Sequence, residues 1–238
     1  MGCCSVQGME DFGKESERLE CKAIVPYQKP FIEQLREHHD RQFAKICNVL
    51  MEEEDQLRQE TILKGEFDYD SFIKEERLLY HGSGNREIKE FEPRSENVRD
   101  PKEGAVVFAT PSIRLASCYL FKWDDSWVRQ SIYNSEDSSE IYMVISDRKR
   151  FQALDLGGTI YFLPSRTFGF DENKGLGVYE WTSKEKIVPV DQINFSSALA
   201  AMGKFDIRVH FLDESEFNAC KSLSPEDQKS FLDAFKED

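Results

Sequence analysis

LLYHGS, residues 78–83, decides how this chain is read. Leu78, Leu79 and Tyr80 form a strand-like apolar run that stops at a histidine, a glycine and a serine, which is how a site is built at a strand end. A second run, AVVFAT at 105–110, leads into a short helix-like stretch, and far along the chain Glu180 stands in an aromatic-rich segment, VYEW at 178–181. The three segments together predict a nucleotide pocket.

Outward from LLYHGS the chain is strand-rich. Short β-branched or aromatic runs bounded by Gly, Pro and charges predict strands at 78–81, 105–109, 140–146, 159–163, 176–181, 187–190 and 207–212. Helices are predicted over 112–121, with Ile113, Ala116 and Leu120 on one face, and over 190–201. The acidic, serine-rich stretch 131–139 reads as an exposed loop. Ser224-Pro225-Glu226-Asp227 caps a final short helix carrying Phe231, Leu232 and Phe235.

Before the strands, Phe31, Ile32, Leu35, Phe43, Ile46, Leu50 and Leu57 recur at the spacing of one helix face, and Pro30 suits a first turn. This predicts a helix from Pro30 to about Leu63, ended by Lys64-Gly65, with Phe67, Tyr69 and Phe72 leading into the strands. His38, His39 and Asp40 are adjacent and point in different directions, so they read as a solvated face and not as metal ligands. The expected organisation is an irregular acidic segment at 1–29, a helical segment at 30–76, a strand-rich domain at 77–212 and an acidic tail with a short helix at 213–238.

The 238 residues are 39% hydrophobic and 12% aromatic, enough for a real core. The net charge of −14 lies on the flanks, since 78–212 holds 17 basic and 19 acidic residues. Such a surface repels a phosphate backbone and disfavours nucleic acid as a partner, whereas a nucleotide needs only a small pocket. Six cysteines without a CxxC pair indicate neither a zinc knuckle nor a disulfide framework and fit a reducing, cytoplasmic compartment. No apolar run reaches the roughly 18–20 residues that cross a bilayer.

The opening Met-Gly-Cys-Cys-Ser resembles the start of dually acylated proteins, in which Gly2 takes myristate and a nearby Cys3 or Cys4 takes palmitate. That reading makes the protein membrane-associated. Val6 stands where a serine or threonine is usual, and the competing reading is an acidic tail with two incidental thiols.

Elements in this order give a split α+β pattern without the regular alternation of a doubly wound dinucleotide fold. Neither GxGxxG nor GxxxxGK[ST] occurs, so a nucleotide would be held differently.

At these residues the chain resembles the ADP-ribosyltransferase superfamily, nearest in pattern to the branch of the poly-ADP-ribose polymerases and small bacterial transferases. The first element of that branch, an apolar strand ending in His-Gly-Ser, is matched by 78–83. The second, a strand ending in aromatic-Phe-Ala and entering a helix, is matched by Val107-Phe108-Ala109-Thr110 with 116–119, and Gly104 supplies the entry glycine. The third, a late strand with a catalytic acid, is matched by Val178-Tyr179-Glu180-Trp181. The resemblance covers 78–212 and implies a split β-sheet domain of the α+β class, preceded by the α-helical segment.

It also implies an activity: NAD-dependent mono-ADP-ribosyl transfer to a protein or small-molecule acceptor, with release of nicotinamide. NAD would be the substrate, bound in a bent form. The Gly82 backbone would pair with the nicotinamide carboxamide, Ser83 would add a hydroxyl, and His81 would hydrogen-bond a ribose hydroxyl. Glu180 would stabilise the oxocarbenium-like charge as the glycosidic bond breaks. Glu180 and His81 are thus the expected catalytic residues, and His81, Gly82, Ser83, Val107, Phe108 and Tyr161 the expected NAD-binding set.

Two departures from the family pattern shape this expectation. Val107 occupies the position where the polymerases keep a stacking tyrosine, so stacking falls to Phe108, Tyr161 or Trp181. Val178 stands two before Glu180, where the arginine-modifying branch has a second glutamate, and the Ser-Thr-Ser element of the toxin branch is absent. Glu185 is a rival acid, and Arg94 and Arg99 could meet a pyrophosphate. An NAD glycohydrolase, a transferase to nucleic-acid ends and a catalytically inert binding module remain alternatives on the same fold.

Overall fold

The computed structural model describes residues 29–64, 68–95, 104–134, 139–171 and 173–235. Gly2, Cys3, Cys4, Phe67, Arg99 and the centre of the expected 131–139 loop lie outside the described residues, as do the side chains of His38, His39 and Asp40. The class is α+β: a long N-terminal helix, then three three-stranded sheets with interspersed helices.

Helix α1 (Lys29–Lys64) covers the predicted range, with Pro30 in its first turn. Of the predicted stripe Phe43, Leu50 and Leu57 pack inward, whereas Ile46 is 51% exposed, and the side chains of Phe31, Ile32 and Leu35 lie outside the described residues. From Arg41 onward the chain forms one body. Within it Cys47 is buried in the main core, Leu50 and Met51 pack against that core, and the Phe43 ring meets Phe195 edge-on at 5.5 Å. Helix α2 (Tyr69–Lys74) follows, capped by Asp68, whose carboxylate accepts from the Ser71 amide.

Strand β1 (Leu78–Ser83) is the LLYHGS run. Next come β2 (Val107–Ala109), α3 (Ile113–Ser117), β3 (Val128–Asn134), β4 (Ser139–Ile145), α4 (Arg148–Leu154) and β5 (Gly158–Pro164). Beyond them lie β6 (Gly169–Phe170), β7 (Trp181–Ser183), β8 (Asp191–Phe195), α5 (Ala198–Lys204), β9 (Arg208–Phe211), α6 (Glu214–Ser222) and α7 (Pro225–Ala234). The sheets run β1-β5-β8 and β2-β7-β6, both antiparallel, and β3-β4-β9, in which β4 and β9 are parallel.

Two buried clusters flank β1 because its side chains alternate. Tyr80 joins Ile160, Phe162, Ile113, Leu115 and Ala116 in the main core, while Leu79 joins Tyr161, Leu163, Val107, Ala109 and Trp181 in the second. The C-terminal segment builds a third: Phe217 of α6 and Leu232 of α7 pack with Tyr142 and Val144 of β4. A capping box between Asp213 and Glu216 opens α6, and Ser224 caps α7 as its sequence predicts.

Several expected elements differ. The predicted strand at 176–181 is a 3-10 turn over Gly177–Tyr179 followed by β7, because Gly175 and Gly177 take positive φ of 54° and 58° and turn the chain before Trp181. Residues 187–190 form only a bridge from Ile187 to Phe91, and Pro189 has no amide to extend it. The predicted helix over 190–201 is strand β8 followed by α5, since 191–195 pair along β5 and Ser197 caps the helix only at Ala198. The predicted helix over 112–121 stops at Ser117. Residues 131–134, expected as loop, are strand, and β3, α4 and α6 were not predicted.

Candidate functional site

Three segments far apart in sequence become neighbouring strands. The Tyr80 amide donates to the Thr110 carbonyl at 2.7 Å, and the Thr110 amide donates back at 2.9 Å, which bridges β1 to the end of β2. β2 then pairs with β7, Val107 opposite Ser183 and Ala109 opposite Trp181. His81 on β1, Phe108 on β2 and Glu180 at the head of β7 therefore belong to three consecutive strands.

His81 is half-buried, and its Nδ1 lies 2.7 Å from the Phe108 carbonyl oxygen. A carbonyl only accepts, so Nδ1 carries the proton and Nε2 of the neutral ring is the acceptor. The ring packs on Phe91 at 4.6 Å. Burial pulls the imidazole pKa down and the nearby Arg94 charge adds to this, while the Phe108 carbonyl works in the opposite direction. Its net direction is downward, which favours the neutral ring.

Gly82 is required by packing. A Cβ there would overlap the Ala116 carbonyl oxygen at the end of α3 and lie 3.2 Å from Tyr119 Cβ. Tyr119 in turn stacks on Trp123, centroids 5.5 Å apart and planes 24° from parallel, and its hydroxyl donates to Gln130 Oε1 at 3.0 Å. Both rings are only partly buried. No motif in the sequence marks this aromatic pair; its one local signal is the four-residue spacing of Tyr119 and Trp123 just after α3. Ser83 Oγ accepts from the Asn85 amide at 3.1 Å, which shapes the turn leaving β1.

The expected stacking residues part company here. Val107 is buried in the second core cluster. Phe108 is partly exposed. Tyr161 is fully buried, and its hydroxyl donates to the Asn85 carbonyl at 2.8 Å and accepts from the Ile88 amide at 3.0 Å, a structural task that holds the 85–88 loop. Trp181 is fully buried too: its indole N–H donates to the Val178 carbonyl at 2.8 Å, and Tyr69 stacks on it at 5.4 Å.

Glu180 ends the 3-10 turn and is half-buried, its amide donating to the Gly177 carbonyl at 2.9 Å. Its carboxylate lies against Gly175, where a Cβ would overlap Oε1. The rival Glu185 is exposed and sits beyond the opposite end of β7, its amide donating to Ser183 Oγ at 3.2 Å. The strand thus separates the two acids. Arg94 is exposed and pairs through its backbone with Val106. Among the described residues no group of three or more His, Cys, Asp and Glu side chains is placed to hold a metal ion, and no helix is long and apolar enough to cross a membrane.

No protein-family model, curated protein or solved structure matches the chain.

Proposed function

We propose that the chain is an NAD-dependent mono-ADP-ribosyltransferase with a split-sheet catalytic domain, acting on a protein or small-molecule acceptor. One observation carries this reading: the His-Gly-Ser strand, the Phe-Ala strand and the strand headed by Glu180 are consecutive in space although dispersed in sequence. The ring of His81, held neutral with Nε2 as acceptor, suits a ribose hydroxyl as its donor. Tyr119, whose Cβ lies beside Gly82, stacks on Trp123, and this half-buried pair is the aromatic surface assigned in place of the tyrosine that Val107 replaces.

In the reaction, the bond from the ribose anomeric carbon to the nicotinamide nitrogen breaks and its electron pair leaves with nicotinamide. The acceptor nucleophile then bonds to that carbon and loses its proton. Glu180 is the acid assigned to the developing positive charge, since a carboxylate in a partly water-excluded site acts most strongly on charge that appears only in the transition state.

A second reading, an inert nucleotide-binding relative, draws on the Glu180 carboxylate lying back against Gly175. Labelled NAD incubated with the purified chain, with and without cell lysate, separates the readings. Nicotinamide release with label on macromolecules supports the transferase, release without transfer indicates a glycohydrolase, and NAD binding without release indicates the inert relative.

A further inference from the structure

The five residues of α3 are too few for a helix to hold itself in water, so its seat depends on tertiary ties. Those ties come from α1. Ser112 accepts from the Leu115 amide at 2.9 Å as the helix cap and donates its own hydroxyl proton to Glu54 Oε1 at 2.7 Å. The other Glu54 oxygen accepts from the Arg114 amide at 3.2 Å. Next to it, Asp55 takes both ends of the Arg114 guanidinium, at 2.8 and 3.0 Å. Glu54 and Arg114 side chains are only 11% and 12% exposed, so the ion pair is screened far less than a surface one.

The far end of the same helix presses on the His-Gly-Ser strand. The Ala116 carbonyl and Tyr119 occupy the space beside Gly82 that a Cβ would need. Between the Glu54 contact and the Gly82 contact lies one helical turn, about 5 Å of rise, a distance over which a helix moves as a rigid piece.

We propose that Glu54 is a positioning residue that, through Ser112 and Arg114, seats α3 on Gly82 and so sets the rim of the nucleotide pocket. Its effect on NAD rests on the transferase reading; its hold on α3 does not. Loss of the carboxylate frees the cap, lets α3 and Tyr119 lift from β1, and weakens ligand binding more than chemistry.

The test uses the full chain and two readouts. Glu54→Ala should raise amide hydrogen exchange at least about tenfold over 112–120 and 81–83, and leave 139–145 unchanged. Glu54→Gln, which keeps one oxygen for the Ser112 hydroxyl, should recover part of the protection and carries the test if Glu54→Ala does not fold. Asp213→Ala, which removes the α6 capping box on another sheet, controls for general loss of stability. With NAD as substrate, KM should rise about tenfold in Glu54→Ala while kcat stays within about threefold.

Exchange that rises evenly across all three sheets, or rises equally in Asp213→Ala, overturns the proposal and reduces Glu54 to a stabilising residue. An unchanged KM in an active protein overturns it as well. A parent protein that releases no nicotinamide while the local exchange pattern holds overturns the transferase reading and leaves the hold of Glu54 on α3 standing.

Discussion

His81 Nδ1 reaches the Phe108 main-chain carbonyl at 2.7 Å, so the side chain of one strand completes a join that backbone hydrogen bonds make between Tyr80 and Thr110. The residue assigned to a ribose is also part of the seam between two sheets. Its substitution therefore has a structural as well as a functional readout.

That seam titrates. The folded state depresses the His81 pKa below its ordinary 6.5, chiefly by burial. The unfolded chain thus binds the proton more readily, and the contribution of the neutral ring is fully present above pH 6.5 and lost as pH falls towards the lower folded value. Thermal unfolding midpoints measured from about pH 7.5 down to about pH 5 should fall in this window, and the fall should be smaller in His81→Asn. Parallel profiles for the two proteins would remove His81 as the source.

Gly82→Ala places a methyl against the Ala116 carbonyl oxygen, a backbone atom that cannot rotate away. Urea unfolding should show a loss of about 1–3 kcal/mol, the usual cost of overpacking. A neutral result would mean that α3 does not rest on β1 as described.

Glu180→Gln should lower nicotinamide release by at least about 100-fold with NAD affinity little changed, as for loss of a group that acts on transition-state charge. Glu185→Gln, at the opposite end of β7, should behave like the parent. The reverse pattern would reassign the acid.

Tyr161→Phe removes a hydroxyl that serves both the Asn85 carbonyl and the Ile88 amide. Leaving these groups without their partner should cost about 1–3 kcal/mol in denaturant unfolding. A selective loss of NAD affinity at unchanged stability would instead return Tyr161 to the binding set.

Much of the fold is written locally. The span of α1, the run of β1 and the Ser224 cap each carry their signal in nearby residues, and each forms where expected. The misread elements are those decided at a distance. Val128–Asn134, with Arg, Gln, Ser and Asn among its apolar residues, is a strand because β4 is there to pair with it, and Asp191–Phe195 is a strand because β5 is. Of the candidate residues, His81 and Gly82 lie on the strand their sequence predicts, whereas Glu180, expected inside a strand, follows a 3-10 turn and precedes β7. The aromatic pair beside Gly82 and the reach of Glu54 to Ser112 are not legible in the sequence, since both depend on where α3 is seated.

The central strand also sets an order of events during synthesis. β1 at 78–83 finds its main partner in β5 at 158–164, and β5 pairs in turn with β8, ending at Phe195. A chain emerging from the ribosome exposes the apolar faces of the His-Gly-Ser strand long before β5 exists. Contacts of such sequence separation close slowly. The sheet around His81 therefore closes only after Phe195 has been made.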